Sequence, residues 1–139
     1  MFVTRKGGSE VLIVHRSPQQ GGYWHVVAGG VEPGETASDA AERELREETG
    51  LIASVGAGVE VEEYSDMLGE PADGRNQHDP SLVRVDVTCF QVAAPDDWEP
   101  KLDWEHDSHC WCDPDEAFAT LRWPGTASAL RTLLMLDAS

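Results

Sequence analysis

The chain has 139 residues, one domain's worth, and its 40% hydrophobic content supports a core without disulfide staples. A net charge of −16, from 26 acidic against 10 basic residues, excludes the clustered Lys and Arg that a polynucleotide or an anionic membrane requires. No long apolar run marks a transmembrane helix and MFVTRKGG lacks an apolar signal core; the odd set Cys89, Cys110 and Cys112 argues for a reducing, cytoplasmic setting.

Met1–Arg16 reads as a hairpin turning through Lys6-Gly7-Gly8-Ser9. Ser17–Gly22, with its Pro and paired Gly, is a loop, and Tyr23–Ala28 a short strand. Gly29–Glu35 carries three glycines and a proline and is irregular. A helix is predicted over Ala37–Thr49, with Thr36 as N-cap, Asp39 three residues on and Gly50 as the stop. Its apolar stripe is Ala37, Ala40, Ala41 and Leu45. Ala53–Glu63 reads as a long strand or bent pair broken by Gly56 and Gly58, and Ser65–Ser81 as a long polar loop.

Leu82–Val92 alternates, with Val83, Val85, Val87 and Cys89 on one face and Arg84, Asp86, Thr88 and Phe90 on the other. Ala94–Lys101 is a turn and His109–Cys112 a short strand, with Cys110 and Cys112 sharing a buried face. Asp113-Pro114-Asp115-Glu116 opens a helix with a cap, a proline and early acids. A last helix spans Thr126–Leu136. His106, His109, Cys110 and Cys112 fit no closed four-ligand zinc spacing. Trp98, Trp104, Trp111 and Trp123 read as core or loop anchors.

The informative segment is Arg43-Glu44-Leu45-Arg46-Glu47-Glu48. On a helix, Glu44 neighbours Glu47 and Glu48 at three- and four-residue offsets, and such like-charge pairs cost about 0.2–0.5 kcal/mol each. All three lie in the last turns, where the helix dipole disfavours negative charge. A plain acidic face paired with Arg43 and Arg46 is one reading. A hard divalent cation such as Mg²⁺ is the other, because it takes carboxylate and phosphate oxygens as ligands.

A glycine-rich loop runs into this helix, so Gly29, Glu35, Arg43, Glu44, Leu45, Glu47, Glu48, Gly50 and Leu51 stand at fixed spacing. This segment, about a sixth of the chain, resembles the Nudix hydrolase signature at every fixed position. The resemblance implies a single domain of α/β class over 1–139, an α/β/α sandwich with a mixed sheet between helices. It implies hydrolysis of a nucleoside diphosphate linked to another group, with Mg²⁺ or Mn²⁺. Glu44, Glu47 and Glu48 would hold the metal, joined by the Ala28 carbonyl and by Glu105 on a later loop. Either Glu44 or Glu105 would be the general base. Arg43, within reach of Asp39 and Glu47, would orient a ligand carboxylate, and Glu35 and Gly50 would support the helix. Arg16, Trp24 and Gly29 would meet substrate, Arg16 by clamping phosphate; Trp24 and Tyr23 would either stack on a base or pack in the core.

Two departures stand out. Ala28 occupies a position where similar proteins carry proline or glycine, and the first strand starts early, which would leave the first hairpin exposed and open to a homodimer partner. The segment Tyr23–Gly29 and the Glu105-His106 pair resemble members that act on nucleoside or dihydroneopterin triphosphates. ADP-ribose or dinucleoside polyphosphates are the alternative substrates. A nucleotide sensor without catalysis is a further alternative, and the intact Glu44, Glu47 and Glu48 weigh against it.

Overall fold

The computed structural model describes residues 1–28, 30–56, 58–65, 83–121 and 124–138. β1 (Phe2–Arg5) and β2 (Glu10–Arg16) form the expected antiparallel hairpin, with Thr4 opposite Val11. Lys6, Gly7 and Gly8 all take positive φ, which reverses the chain within four residues. β2 is the hub of the larger, five-stranded sheet. Along one edge it pairs with β7 (His106–Cys112); along the other it pairs first with β1 and then with β3 (Trp24–His25). β6 (Gln91–Ala93) adds to β1 in parallel, so the sheet is mixed. β4 (Val59–Ser65) and β5 (Val83–Cys89) form a separate antiparallel pair.

The unbroken apolar run Val11-Leu12-Ile13-Val14 is buried on both faces of β2, as expected for a strand covered on each side. Val11 and Ile13 pack toward α2 (Pro114–Thr120) and α3 (Pro124–Ala138), meeting Ala117, Leu121, Leu130 and Leu133. Leu12 and Val14 pack toward α1 (Ala37–Thr49), meeting Leu45. Each such buried side chain contributes about 1.5–3 kcal/mol. The sheet thus lies between helices, which is the sandwich the signature implies.

α1 has the predicted ends. Thr36 Oγ1 accepts from the Asp39 amide, Asp39 answers at the Thr36 amide, and Gly50 closes the helix at φ 82°. Asp39 is therefore a capping residue and not a partner of Arg43.

Other expectations need correction. Ala53–Glu63 is a strand only from Val59. A Cβ on Gly58 would lie 2.6 Å from Thr88 Cγ2, so β5 packs against the bare backbone there. The Leu82–Val92 run splits at Phe90, whose carbonyl accepts from the Phe2 amide as the chain leaves β4 for β1. The strand after Trp24 is shorter than Tyr23–Ala28. β7 begins at His106 because a register shift at Arg16 extends its pairing with β2. β1 is flanked by β2 and β6, so the first hairpin is not an open edge.

Cys112 is buried beside Ala117 and Leu121, whereas Cys110 is exposed, because that cluster does not reach so far along β7. Trp98 and Trp111 pack against the α1-side core, but Trp104 is 74% exposed. Gly29, Trp123 and the stretch 66–82, which holds most of the expected long loop, lie outside the described residues. No helix among the described residues is long and apolar enough to cross a membrane.

Candidate active site

The site grows from the C-terminal half of α1. Arg43 reaches back over the glycine-rich loop. Its Nε and Nη2 donate to Glu35 Oε2 and Oε1 at 2.9 and 3.0 Å, a bidentate pair, and Nη2 also donates to the Gly30 carbonyl at 3.0 Å. Nη1 donates to Glu44 Oε1 at 2.8 Å and to Glu47 Oε2 at 3.3 Å. One guanidinium therefore ties the loop to the helix and holds two of the predicted metal ligands. These bonds, Glu35 first, hold Arg43 still more firmly protonated and lower the Glu35 carboxyl. Glu35 is further pinned by the Glu32 amide at 2.9 Å.

Glu48 differs. It is 1% exposed, and neither carboxylate oxygen has a hydrogen-bond partner among the described residues. Burial, the adjoining Glu44 carboxyl and the charges of Asp103 and Glu105 push its pKa up to about 9. Facing it at 3.5 Å, without hydrogen-bond alignment, is Nε2 of the buried His106, itself unpartnered. His106 Nδ1 meets Asp103 Oδ1 at 2.9 Å. With the ring proton on Nδ1, Nε2 presents a lone pair toward Glu48. A buried carboxylate with both oxygens unmet is a costly arrangement, which is a signal of function.

Glu105 stands just before β7. Its carbonyl accepts from the Ser17 amide at 2.9 Å, which fixes this loop beside the Arg16 turn. Glu44, Glu48 and Glu105 are thus brought into one electrostatic neighbourhood. Among the described residues, however, no three carboxylate, imidazole or thiol groups stand gathered as a ready metal cage. The reason is visible: Arg43 draws Glu44 and Glu47 toward itself, and Glu47 remains half exposed. A hard dication suits this donor set of carboxylate oxygens, and the orphaned Glu48 oxygens are where one would be felt most.

The remaining predicted residues are distributed as follows. Arg16 folds onto its own loop, donating to the Gln20 carbonyl (3.1 Å) and Oε1 (3.0 Å), with Tyr23 5.8 Å below the guanidinium. Ala28 is exposed and lines a pocket shared with Glu44. Trp24 faces away from that pocket, edge-on to His15 at 5.0 Å and against the α2/α3-side core. Its neighbour His25 lines the pocket instead. Gly50 caps α1, and Gly29 lies outside the described residues. The zinc-like set is dispersed: His106 turns inward to Glu48, and His109 turns to Glu99.

Sequence reasoning missed His25, His106 and Asp103 as site neighbours. The adjacency of His106 to Glu105 was a signal, but which way the ring pointed depended on the start of β7.

This combination of a mixed sheet between helices and a carboxylate-rich helix behind a glycine loop defines a class, and the comparisons agree. The NUDIX domain model matches residues 1–133, so the chain belongs to that family. It is 31% identical to the CTP pyrophosphohydrolase of Escherichia coli over 94% of this chain and 86% of that protein. It is 35% identical, over 88% of its length, to an octanoyltransferase of Myxococcus xanthus. The chain spans about a third (32%) of that longer protein, whose name belongs to the whole. In fold it superposes on a C. elegans Ap4A hydrolase with a TM-score of 0.75 at 21% identity, covering 99% of this chain and 93% of that one.

Proposed function

We propose that this protein is a divalent-cation-dependent pyrophosphohydrolase that cleaves a nucleoside triphosphate to the monophosphate and pyrophosphate. The observation that carries the reading is Glu48, a buried carboxyl group that no cationic or amide donor holds among the described residues, crowded by Glu44, Asp103 and Glu105. Identity to a CTP pyrophosphohydrolase over nearly the whole chain supports a triphosphate.

In this reading Glu44, Glu47, Glu48, Glu105 and the Ala28 carbonyl hold Mg²⁺ or Mn²⁺. Bound there, the cation would offset the polyphosphate charge, polarise phosphorus and lower the pKa of the attacking water. Either Glu44 or Glu105 takes that water's proton. The water oxygen bonds to the α-phosphorus, the α–β anhydride bond breaks, and pyrophosphate leaves. Arg43 is a positioning residue that keeps Glu44 and Glu47 within reach, with Glu35 bracing it. Arg16 clamps phosphate once released from Gln20, and Gly29 is a further substrate-binding residue. The net charge of −16 makes a bridging cation a requirement for binding a polyanion.

The test is incubation with Mg²⁺ or Mn²⁺ and a panel of nucleoside triphosphates, nucleotide sugars, ADP-ribose and dinucleoside polyphosphates, with products resolved by chromatography. Monophosphate and pyrophosphate from triphosphates, lost in Glu47→Gln, is the expected result. Cleavage confined to ADP-ribose or dinucleoside polyphosphates would replace the substrate class. Cleavage surviving Glu47→Gln would overturn the metal-site assignment. Binding without any cleavage would turn the reading to a sensor.

A further inference from the structure

β7 carries two thiols that the hydrolytic chemistry does not use. Cys110 and Cys112 stand opposite Ile13 and Val11 of β2, so both side chains take the α2/α3 face of the sheet. Cys110 is exposed and Cys112 is buried, which sets one thiol at the surface and the other just beneath it. The hydrogen bonds that hold them are weak: Cys110 Sγ lies 3.7 Å from the Trp111 carbonyl and Cys112 Sγ 3.7 Å from the Val11 carbonyl. The two thiols also feel each other. Burial first, then Cys110, Glu116 and Asp113, push the Cys112 thiol up to about 12. The groups acting on it are all acidic.

We propose that Cys110 and Cys112 form a two-sulfur site for a soft monovalent cation, copper(I), at the outer end of β7. The proposal is independent of the α1 carboxylates and of the hydrolase reading. Span is the first argument. Two residues along a strand advance about 6.6 Å. That is close to the far limit of about 6.8 Å between the Cα atoms of a disulfide, so a direct S–S bond would strain β7. A bridging ion needs its sulfurs only about 4.6 Å apart, twice a metal–thiolate bond of about 2.3 Å, and side chains on one face reach that by rotation. Ligand number is the second argument. Among the described residues no third imidazole, carboxylate or thiol joins the pair as a metal-binding group, so an ion that demands four protein ligands is poorly served. Copper(I) prefers thiolate and is satisfied by two. Charge is the third. Asp113 and Glu116 act on Cys112 and the chain carries −16, which draws cations and repels anionic thiol reagents. Without a cation these surroundings keep Cys112 a thiol. On binding, the ion displaces the protons of both thiols, two S–Cu bonds form, and two protons pass to solvent.

The experiment titrates copper(I) anaerobically into the full chain, without Mg²⁺ and in competition with a chromogenic copper(I) chelator. Native mass spectrometry counts the bound ions, and a pH indicator in weak buffer counts the protons released. Wild type should bind one copper(I) per chain, release two protons at pH 7 and gain the ultraviolet absorbance of copper(I)–thiolate bonds. Cys110→Ser and Cys112→Ser should each weaken binding at least about 100-fold, the gain that two linked ligands give over one. Circular dichroism checks both variants. Cys110 is exposed, so Cys110→Ser keeps the fold and decides the question if Cys112→Ser does not fold. Four results would each overturn the proposal: no copper(I) bound by wild type, binding unweakened in Cys110→Ser, one ion shared between two chains, or release of a single proton.

Discussion

The two ends of β2 put carboxylates to opposite uses. At the hairpin end, Arg5 lies 4.0 Å over the Trp111 ring and donates to Glu10 (2.9 Å), Glu99 (2.7 Å) and the Trp98 carbonyl (2.9 Å). Glu99 also accepts from Trp111 Nε1 at 2.9 Å and faces His109 Nε2 at 3.1 Å. Arg5 above all, then Trp111, hold the Glu99 carboxyl down at about 2. At the other end, where Arg16 pairs with His106, burial and then the adjoining Glu44 carboxyl push Glu48 up to about 9, and no cationic or amide donor holds it among the described residues. The difference teaches how to separate fold from function in an acidic protein. A carboxylate with complete partners braces the structure, and one buried without them is a candidate for holding a ligand.

The sharpest break in that comparison is Glu48→Gln. It should lower kcat/KM at least about 100-fold, about 2.7 kcal/mol of transition-state stabilisation, while the fold persists by circular dichroism. Next comes a change that touches neither end. Gly58→Ala puts a Cβ 2.6 Å from Thr88 Cγ2 and 2.8 Å from Phe90 Cε1, and denaturant titration should show a loss of about 1–3 kcal/mol.

A subtler effect is the pH dependence of stability in the absence of divalent cations. Folded Glu48 keeps its proton to about pH 9, whereas the unfolded chain releases it near 4.5. The unfolded state thus binds fewer protons between those values, and stability falls as pH rises through that window. Thermal melts from pH 5 to 9 should show this decline, flattened in Glu48→Gln and opposed by added Mg²⁺. The smallest effect belongs to the paired end. Arg5→Met should lower Tm by a few degrees and leave kcat/KM unchanged, since the Glu10 and Glu99 carboxylates that it releases can turn to solvent. A large activity loss there would erase the contrast between the two ends.

Local chemistry decided what was legible. The ends of α1 could be read because a capping box and a left-handed glycine act within a few residues. The doubly buried β2 could be read from four consecutive apolar residues. Ala53–Gly56 misled because Ala53 and Val55 pack against the α1-side core as irregular chain, and Gly58 is pressed under β5. Cys110 misled because strand alternation says which face a residue takes, but not whether a helix covers it. At the site, the spacing put Glu44, Glu47 and Glu48 on the last turns of α1 and the signature placed Arg43 among them, but Arg43 draws Glu44 and Glu47 to itself and no three such groups stand gathered among the described residues.

The sequence by itself therefore determined the carboxylates of α1 and the family, because both rest on short-range spacing, and it implied the sandwich of mixed sheet and helices only through that resemblance. Only the tertiary structure decided which glutamate is unpartnered, that His106 and Asp103 crowd it, and that His25 rather than Trp24 lines the pocket beside Glu44. Those outcomes follow from the register of β7 on β2 and the side on which β3 meets it. Long-range strand pairing sets both, and no local pattern records it.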